Sequence, residues 1–378
     1  MSFPAHGKVL FSATLVRGHI AKFHIPYLKW FKEQGWETWV AAKNDYPDGV
    51  CEIPYCDHFV NIDYARSPFS KQTIVAYGQL RSLFKREHFD IVHTHTPVGG
   101  VLTRLAARDA RRDGTKIIYT AHGFHFYNGA PIANWLLWYP VERVMSRFTD
   151  VLVTINNEDY KRAKEFAHCR VEYLPGVGID LSKFNQKCDV KAIRKNLGLY
   201  QGDYFILAVG DLIKRKNHQS IIRALVQLDD KFKLFICGTG VEHDNLSDLV
   251  DSLGLKNKVF FLGFRNDIAQ LMAAADVLVF PSIHEGLPVS VMEAMASGLP
   301  VIATKIRGIV PDLIDDYVDG LILDSDQPDC IAAAVRTLSD DEALSKRLSL
   351  RAQDKVNKFS IAAVLLKARQ LYSGVINS

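Results

Sequence analysis

The segment VLVFPSIHEGLPVSVMEAMASGLP, residues 277–300, leaves the chain little choice of fold. Val277-Leu278-Val279-Phe280 is an apolar run of strand length, and Pro281 stops it. A loop with Gly286 and Pro288 follows. Val289 to Ala296 then carries a helical pattern that Gly298 and Pro300 close. Val301-Ile302-Ala303 is the next strand. Strand, loop, helix, strand is half of a doubly wound α/β sheet, in which ligands bind beyond the carboxyl ends of the strands.

Two carboxylates in this unit need an account. Glu293 is flanked by Val291, Met292, Ala294 and Met295, so one side of it must meet apolar packing. A buried carboxylate is costly unless something hydrogen-bonds it, and a ribose diol offers two donors side by side. Glu285 precedes the helix, where free backbone N–H groups suit phosphate oxygens. The plainer alternative is that Glu285 complements the helix dipole and Glu293 is solvated.

The same unit recurs along the chain. Val9 to Ala13 reads as the first strand, followed by a loop with Arg17 and Gly18, a helix from about Ile20 to Gln34, and the strand Thr38 to Ala41. G-x-G-x-x-G is absent, so Gly18 alone is no dinucleotide fingerprint and is equally a turn glycine. Ile91 to His95 ends in H-x-H, with Gly99-Gly100 opening a helix. Alternate strand residues share a face, but no third metal ligand stands near His93 and His95 in the sequence, so cleft-facing histidines are expected and a metal is not. Lys116 to Ala121 breaks into His122-Gly123-Phe124-His125. In the second half, Tyr204 to Val209 leads to Gly210-Asp211 and then to Lys214-Arg215-Lys216, the point charges and donor fork that a diphosphate requires. A solvated basic turn is the alternative. Gly238-Thr239-Gly240 follows another strand, and Phe264-Arg265 a further one. Asp324-x-Asp326 precedes Pro328 and reads as a helix start, not a metal site.

With 378 residues the chain is long enough for two domains. A net charge of +4 argues against a dedicated nucleic-acid binder. No apolar run approaches the roughly 18–20 residues of a membrane span, and the N-terminus shows no signal-peptide pattern. Six scattered cysteines lack C-x-x-C spacing, and the cytoplasm is the expected compartment. All five tryptophans lie before residue 140, in Tyr27–Lys32, at Trp36 and Trp39, and in Asn134–Tyr139. They either fill the N-terminal core or seat the protein on a bilayer.

The string H-E-G-L-P-x-x-x-x-E-A-M-A-x-G-x-P, from His284 to Pro300, resembles the donor-sugar motif of retaining GT-B glycosyltransferases of family 4. The likeness spans nearly the whole chain and is densest over 90–180 and 204–303. It implies an α/β fold of GT-B type: two doubly wound Rossmann-like domains facing across a cleft. The implied domains are 1–185 for the acceptor, 186–360 for a nucleotide-sugar donor, and 361–378 as a helix crossing back to the first.

The resemblance also implies roles. Glu285 contacts the transferred sugar and Glu293 the ribose. Lys216 takes the diphosphate, Gly18 lies in the cleft, Leu287 belongs to the donor loop and Arg265 borders the nucleobase. T-A-H-G-F gives His122, and not His125, a place toward the donor sugar, so His122 and Glu285 form the catalytic pair. One departure matters: relatives carry a phosphate-binding Arg where this chain has Asp211, so Arg215 is expected to substitute. The stretches HTHTPVGGVLTRLAAR and TAHGFHFYNGAP resemble capsule and exopolysaccharide enzymes, which implies a UDP-sugar donor and a polyprenyl-diphosphate-linked saccharide acceptor at the inner membrane face. The implied reaction retains anomeric configuration and uses neither cofactor nor metal. Alternatives of the same fold are a nucleotide-sugar epimerase and a non-catalytic binding subunit.

Overall fold

The computed structural model describes residues 4, 6–65, 70–184, 186 and 188–377. Two units make up the chain: Met1–Gly178 with Ile361–Ser378, and Ile179–Ser360. The expected boundary at 185/186 falls on Asn185, which lies outside the described residues; the division is at Gly178/Ile179, where the chain leaves the glycine-rich turn 175–178.

The N-terminal unit is a seven-stranded sheet. Its strands are β1 Lys8–Leu15, β2 Glu37–Lys43, β3 His58–Asn61, β4 Ile91–His95, β5 Lys116–Ala121, β6 Val151–Thr154 and β7 Arg170–Tyr173, in the order β3-β2-β1-β4-β5-β6-β7. The C-terminal unit has β8 Tyr204–Val209, β9 Phe232–Cys237, β10 Val259–Gly263, β11 Val277–Phe280, β12 Val301–Thr304 and β13 Leu321–Leu323, in the order β10-β9-β8-β11-β12-β13. All the pairings are parallel. Parallel sheets are covered on both faces, which is why these strands read as continuous apolar runs. Period-two alternation sends Val9 and Phe11 to one core and Leu10 to the other.

Both sheets reverse their winding next to the first strand. The reversal opens a crevice between the loops after β1 and β4, and another between those after β8 and β11. Those four loops hold most of the chemistry the sequence singled out.

The helix expected from about Ile20 to Gln34 is broken. A π-turn, Val16–Ile20, leads to a short helix Ala21–Phe23 and, past His24, to a second helix Ile25–Glu33. Pro26 lies in the first turn of that second helix; with no N–H to donate, it begins a helix better than it continues one. The first tryptophan group belongs to the core: Trp30 and Trp36 are buried, and Trp30 stacks on Tyr372 at 5.7 Å. Tyr372 lies on the helix Ile361–Ile376, which packs in the N-terminal unit although it is last in the chain. Among the described residues no helix is long and apolar enough to cross a membrane.

Candidate functional site

In the C-terminal unit, β8 delivers Gly210 and then a single 3-10 turn, Lys214–Lys216. β11 delivers the loop 281–288, which ends at the helix Val289–Ala296. The two loops meet. Lys216 Nζ donates to Glu285 Oε1 at 2.8 Å, and Arg215 Nη1 lies 2.5 Å from the same oxygen. Arg215 also donates to the His284 carbonyl at 3.0 Å, and the Ile283 amide donates to the Arg215 carbonyl at 2.9 Å. Burial pushes the Glu285 carboxyl up, but Lys216 and Arg215 outweigh it and hold the group below the usual range. Glu285 is therefore an ionised carboxylate fixed by two cations.

A third loop braces this one. Arg307, past β12, donates to the Glu285 carbonyl at 2.9 Å. Next to it Gly308 has φ +76°, and a Cβ there would stand 2.2 Å from the Gly286 carbonyl oxygen. Only glycine allows that approach, which also crowds the backbone of Leu287, a buried residue. Sequence reasoning missed Arg307 and Gly308; an Arg-Gly pair just past a strand end was the available signal.

The helix Val289–Ala296 buries Val291, Met292, Ala294, Met295 and Ala296. Gly298 at φ +69° ends it: its amide donates to Met295 and that of Leu299 to Ala294, which satisfies the last carbonyls. Pro288 caps the other end without a side-chain acceptor, so the first amides point out of the helix unused by a cap. Glu293 projects from the less buried side. Burial pushes its carboxyl up to about 7, against a lowering by Lys183. Lys183 is a second neighbour the sequence did not indicate.

Arg265 is engaged with its own turn, donating to both carboxylate oxygens of Asp267 at 2.8 and 2.5 Å. It stands on the loop after β10, whose Gly263 carbonyl accepts from Gly238 at 2.8 Å. Thr239 in turn accepts from Leu212 at 3.0 Å, tying G-x-G to the basic turn. Asp211 is exposed, and Asp326 accepts from Asn217 at 3.0 Å.

The N-terminal crevice is lined differently. Gly18 lies in the π-turn, and its amide donates to Asp45 at 3.0 Å. Thr96 adopts φ +63°, a costly conformation for a β-branched residue and one that clusters at functional sites. His122 Nε2 lies 3.3 Å from His95 Nδ1, and burial pushes its pKa down to about 4. His93 is fully committed, to Tyr372 at 2.7 Å and Thr120 at 2.8 Å. His95 is instead surrounded by His24, His19 and His122, with ring centroids 3.9, 5.6 and 5.4 Å away. Histidines absent from the sequence beside H-x-H arrive from the π-turn after β1, the helix break at His24 and the loop after β5.

The loop after His122 is pinned from below. Asp159 accepts from the Phe124 amide at 3.0 Å and from Asn156 Nδ2 at 2.8 Å, while Asn156 caps the helix Asn157–Phe166. Both residues are fully buried. Asn156→Ala removes the cap and one partner of a buried carboxylate, and is expected to cost about 1–2 kcal/mol. A fall in the thermal midpoint with unchanged secondary structure checks it.

Residues 27–183 match the family model described as Glycosyltransferase Family 4, and residues 189–355 that described as Glycosyl transferases group 1. EpsD of Bacillus subtilis (strain 168), named as a glycosyltransferase, is 39% identical over 98% of this chain and 97% of its own. A UDP-Gal:alpha-D-GlcNAc-diphosphoundecaprenol alpha-1,3-galactosyltransferase of Escherichia coli is 30% identical over 79% of this chain and 78% of its own. Among solved structures, Anabaena HepE in complex with UDP and glucose matches with a TM-score of 0.80, at 22% identity, over 98% of this chain and 100% of that one.

Proposed function

The chain belongs to the GT-B glycosyltransferases of family 4, and we propose that it moves a sugar from a UDP-sugar to a polyprenyl-diphosphate-linked saccharide, with retention at the anomeric carbon, in surface-polysaccharide assembly. The observation that carries the reading is Glu285 clamped by Arg215 and Lys216 at the C-terminal crevice. The named substrates of the Escherichia coli relative and the UDP held by HepE support the donor and acceptor classes.

The chemistry follows from charge. The bond between the anomeric carbon and the diphosphate breaks, and the diphosphate keeps the electron pair. Negative charge grows on its oxygens, positive charge on the sugar ring. Lys216, Arg215 and the open amides of the helix Val289–Ala296 face the first charge, and the ionised Glu285 holds the sugar by its hydroxyls. The acceptor hydroxyl enters on the face the diphosphate leaves and gives its proton to the departing phosphate. Arg215 supplies the phosphate contact that Asp211, an acid, cannot make, and Glu293 takes the ribose hydroxyls. Leu287 shapes the sugar end of the pocket, and Arg265 and Gly18 complete the donor contacts. His122, neutral at working pH, offers the sugar a hydrogen bond and no charge. Two cations at the diphosphate replace a divalent metal there, so added Mg²⁺ or Mn²⁺ is expected to leave the rate unchanged.

The acceptor calls for membrane contact. On the helix Ile132–Met145, Ile132 and Leu136 are 76% and 75% exposed, and Leu137 is 43% exposed. Leu137 and Trp138 also line an apolar hollow of about 240 Å³ with Val98, Val101 and Val141. An apolar helix face with exposed Arg143 beside it is suited to a bilayer interface. An Ile132→Glu, Leu136→Glu double variant is expected to lose at least ~10-fold in sedimentation with anionic vesicles, since two buried apolar side chains contribute several kcal/mol. UDP binding should be unchanged.

The deciding experiment is a screen of nucleotide-sugars against lipid-linked saccharides, with products read by mass spectrometry and anomeric configuration by NMR. Transfer from a UDP-sugar with retention is expected. Altered free sugar without acceptor would make the chain an epimerase, and UDP binding without turnover a binding subunit.

A further inference from the structure

The N-terminal crevice gathers four histidines, of which sugar transfer accounts for His122 alone. His19 comes from the π-turn after β1, His24 from the break between two helices, His95 from the end of β4 and His122 from just past β5. One ring nitrogen from each lies within 4.8 Å of the others. Both nitrogens of His24, Nε2 of His95 and Nε2 of His19 are buried without a hydrogen-bond partner among the described residues. Buried polar atoms are rarely left so, and orphaned nitrogens on three adjoining imidazoles point to a bound ligand that takes one nitrogen from each ring.

The geometry points to a divalent transition-metal site formed by His19, His24, His95 and His122, with zinc as the ion of best fit. A tetrahedral ion with metal–nitrogen bonds of about 2.0–2.1 Å sets its ligands about 3.3 Å apart. The His95–His122 edge is already 3.3 Å. The other nitrogen pairs lie within 4.8 Å of one another. The donor set is all imidazole, which suits zinc, nickel, cobalt or copper and excludes magnesium and calcium, whose ligands are oxygens. Burial lowers the pKa of each of the four, which keeps them in the neutral form that coordinates. A surrounding shell is in place: Phe11 lies parallel to His95 at 6.2 Å, and His93, held at both nitrogens, walls the site without joining it.

The ion would be structural. It would fasten the π-turn and the loop after β5 to the end of β4. Coordination through Nε2 of His122 leaves the proton on Nδ1, so the ring keeps one N–H donor for the sugar. Metal binding itself does not depend on the glycosyltransferase reading, because it can be measured without turnover.

The test uses the full chain, stripped with chelator and titrated with Zn²⁺ and with Co²⁺. About one equivalent of zinc per chain is expected, with the intense visible absorption of tetrahedral Co²⁺ and a raised thermal midpoint. A His24→Gln, His95→Gln double variant should weaken binding at least ~100-fold, whereas His125→Gln, outside the cluster, should bind as the wild type does. Circular dichroism and UDP binding serve as controls for folding of the variants. Metal content is also measured directly on wild-type protein, so the proposal does not rest on variants alone. Substoichiometric, weak binding to the wild type, or undiminished binding to a folded double variant, would show the cluster to be packing and overturn the site.

Discussion

Lys216→Ala is expected to lower kcat/KM for sugar transfer by about 10²–10³-fold, the usual loss when one preorganised donor to a developing charge is removed. The side chain is held before any substrate arrives. Its ammonium bonds Glu285 at 2.8 Å and stands 4.9 Å from the centre of the Phe280 ring, and its methylenes lie against Gly210. No reorganisation is then needed as the diphosphate leaves. Lys216→Arg keeps the charge but not the shape, since a planar fork cannot occupy the volume of a compact ammonium; only partial activity should return. Glu285→Gln separates the two halves of the clamp. It should lower kcat more than KM, because the sugar contact matters most as positive charge develops, and UDP affinity should change little. The ion pairs also contribute to stability. The folded carboxyl titrates below 4.5, so this contribution is complete above that value and is lost as pH falls through the folded one. Unchanged kcat in Lys216→Ala and in Glu285→Gln, measured on saturating nucleotide-sugar, would remove the clamp from the mechanism.

Much of this clamp was legible because its punctuation is local. Pro281, Gly298 and Pro300 bound one strand and one helix, and the structure starts and stops them at Val277–Phe280 and Val289–Ala296. The single helix expected over about Ile20–Gln34 is divided for a local reason as well: Pro26 has no N–H to continue a helix and starts a new one past His24. The histidine cluster was illegible for a different reason. Adjacency in a doubly wound sheet is set by strand order, and β1-β4-β5 brings residues 19, 24, 95 and 122 together across a hundred positions. A search for ligands near H-x-H in the chain cannot find that. The bracing of Glu285 by Arg307 and Gly308 is hidden in the same way, because it needs β11 and β12 to be neighbours. Composition could not divide the second aromatic segment either. Trp135, Trp138 and Tyr139 pack against the core around Phe126 and Phe166, whereas Leu136 between them faces out, and only the packing of the helix decides which.

Nucleotide-sugar affinity is expected to rise about tenfold between pH 6 and pH 8 and then level, because Glu293 must ionise to receive a ribose diol. In the free protein its burial, against a smaller lowering by Lys183, places the carboxyl at about 7, so roughly nine chains in ten are protonated there at pH 6. A protonated carboxyl has lost one of the two acceptor positions the diol requires. Binding at pH 6 should therefore release close to one proton per donor, which calorimetry in two buffers of different ionisation enthalpy reads directly. The nucleotide-sugar is a diphosphate diester and does not titrate in this range, so the proton comes from the protein. Stability carries the opposite sign. A carboxyl raised from 4.5 to about 7 on folding makes the folded chain the better proton binder, so stability falls as pH rises between those values and is flat above them. The whole change amounts to about 3 kcal/mol. Glu293→Gln should abolish both slopes, stabilising the free protein at pH 8 while weakening the nucleotide by about 10-fold or more, since a neutral amide replaces a charged acceptor. If wild-type affinity were flat from pH 6 to 8 and no proton were released, Glu293 would not be the ribose ligand.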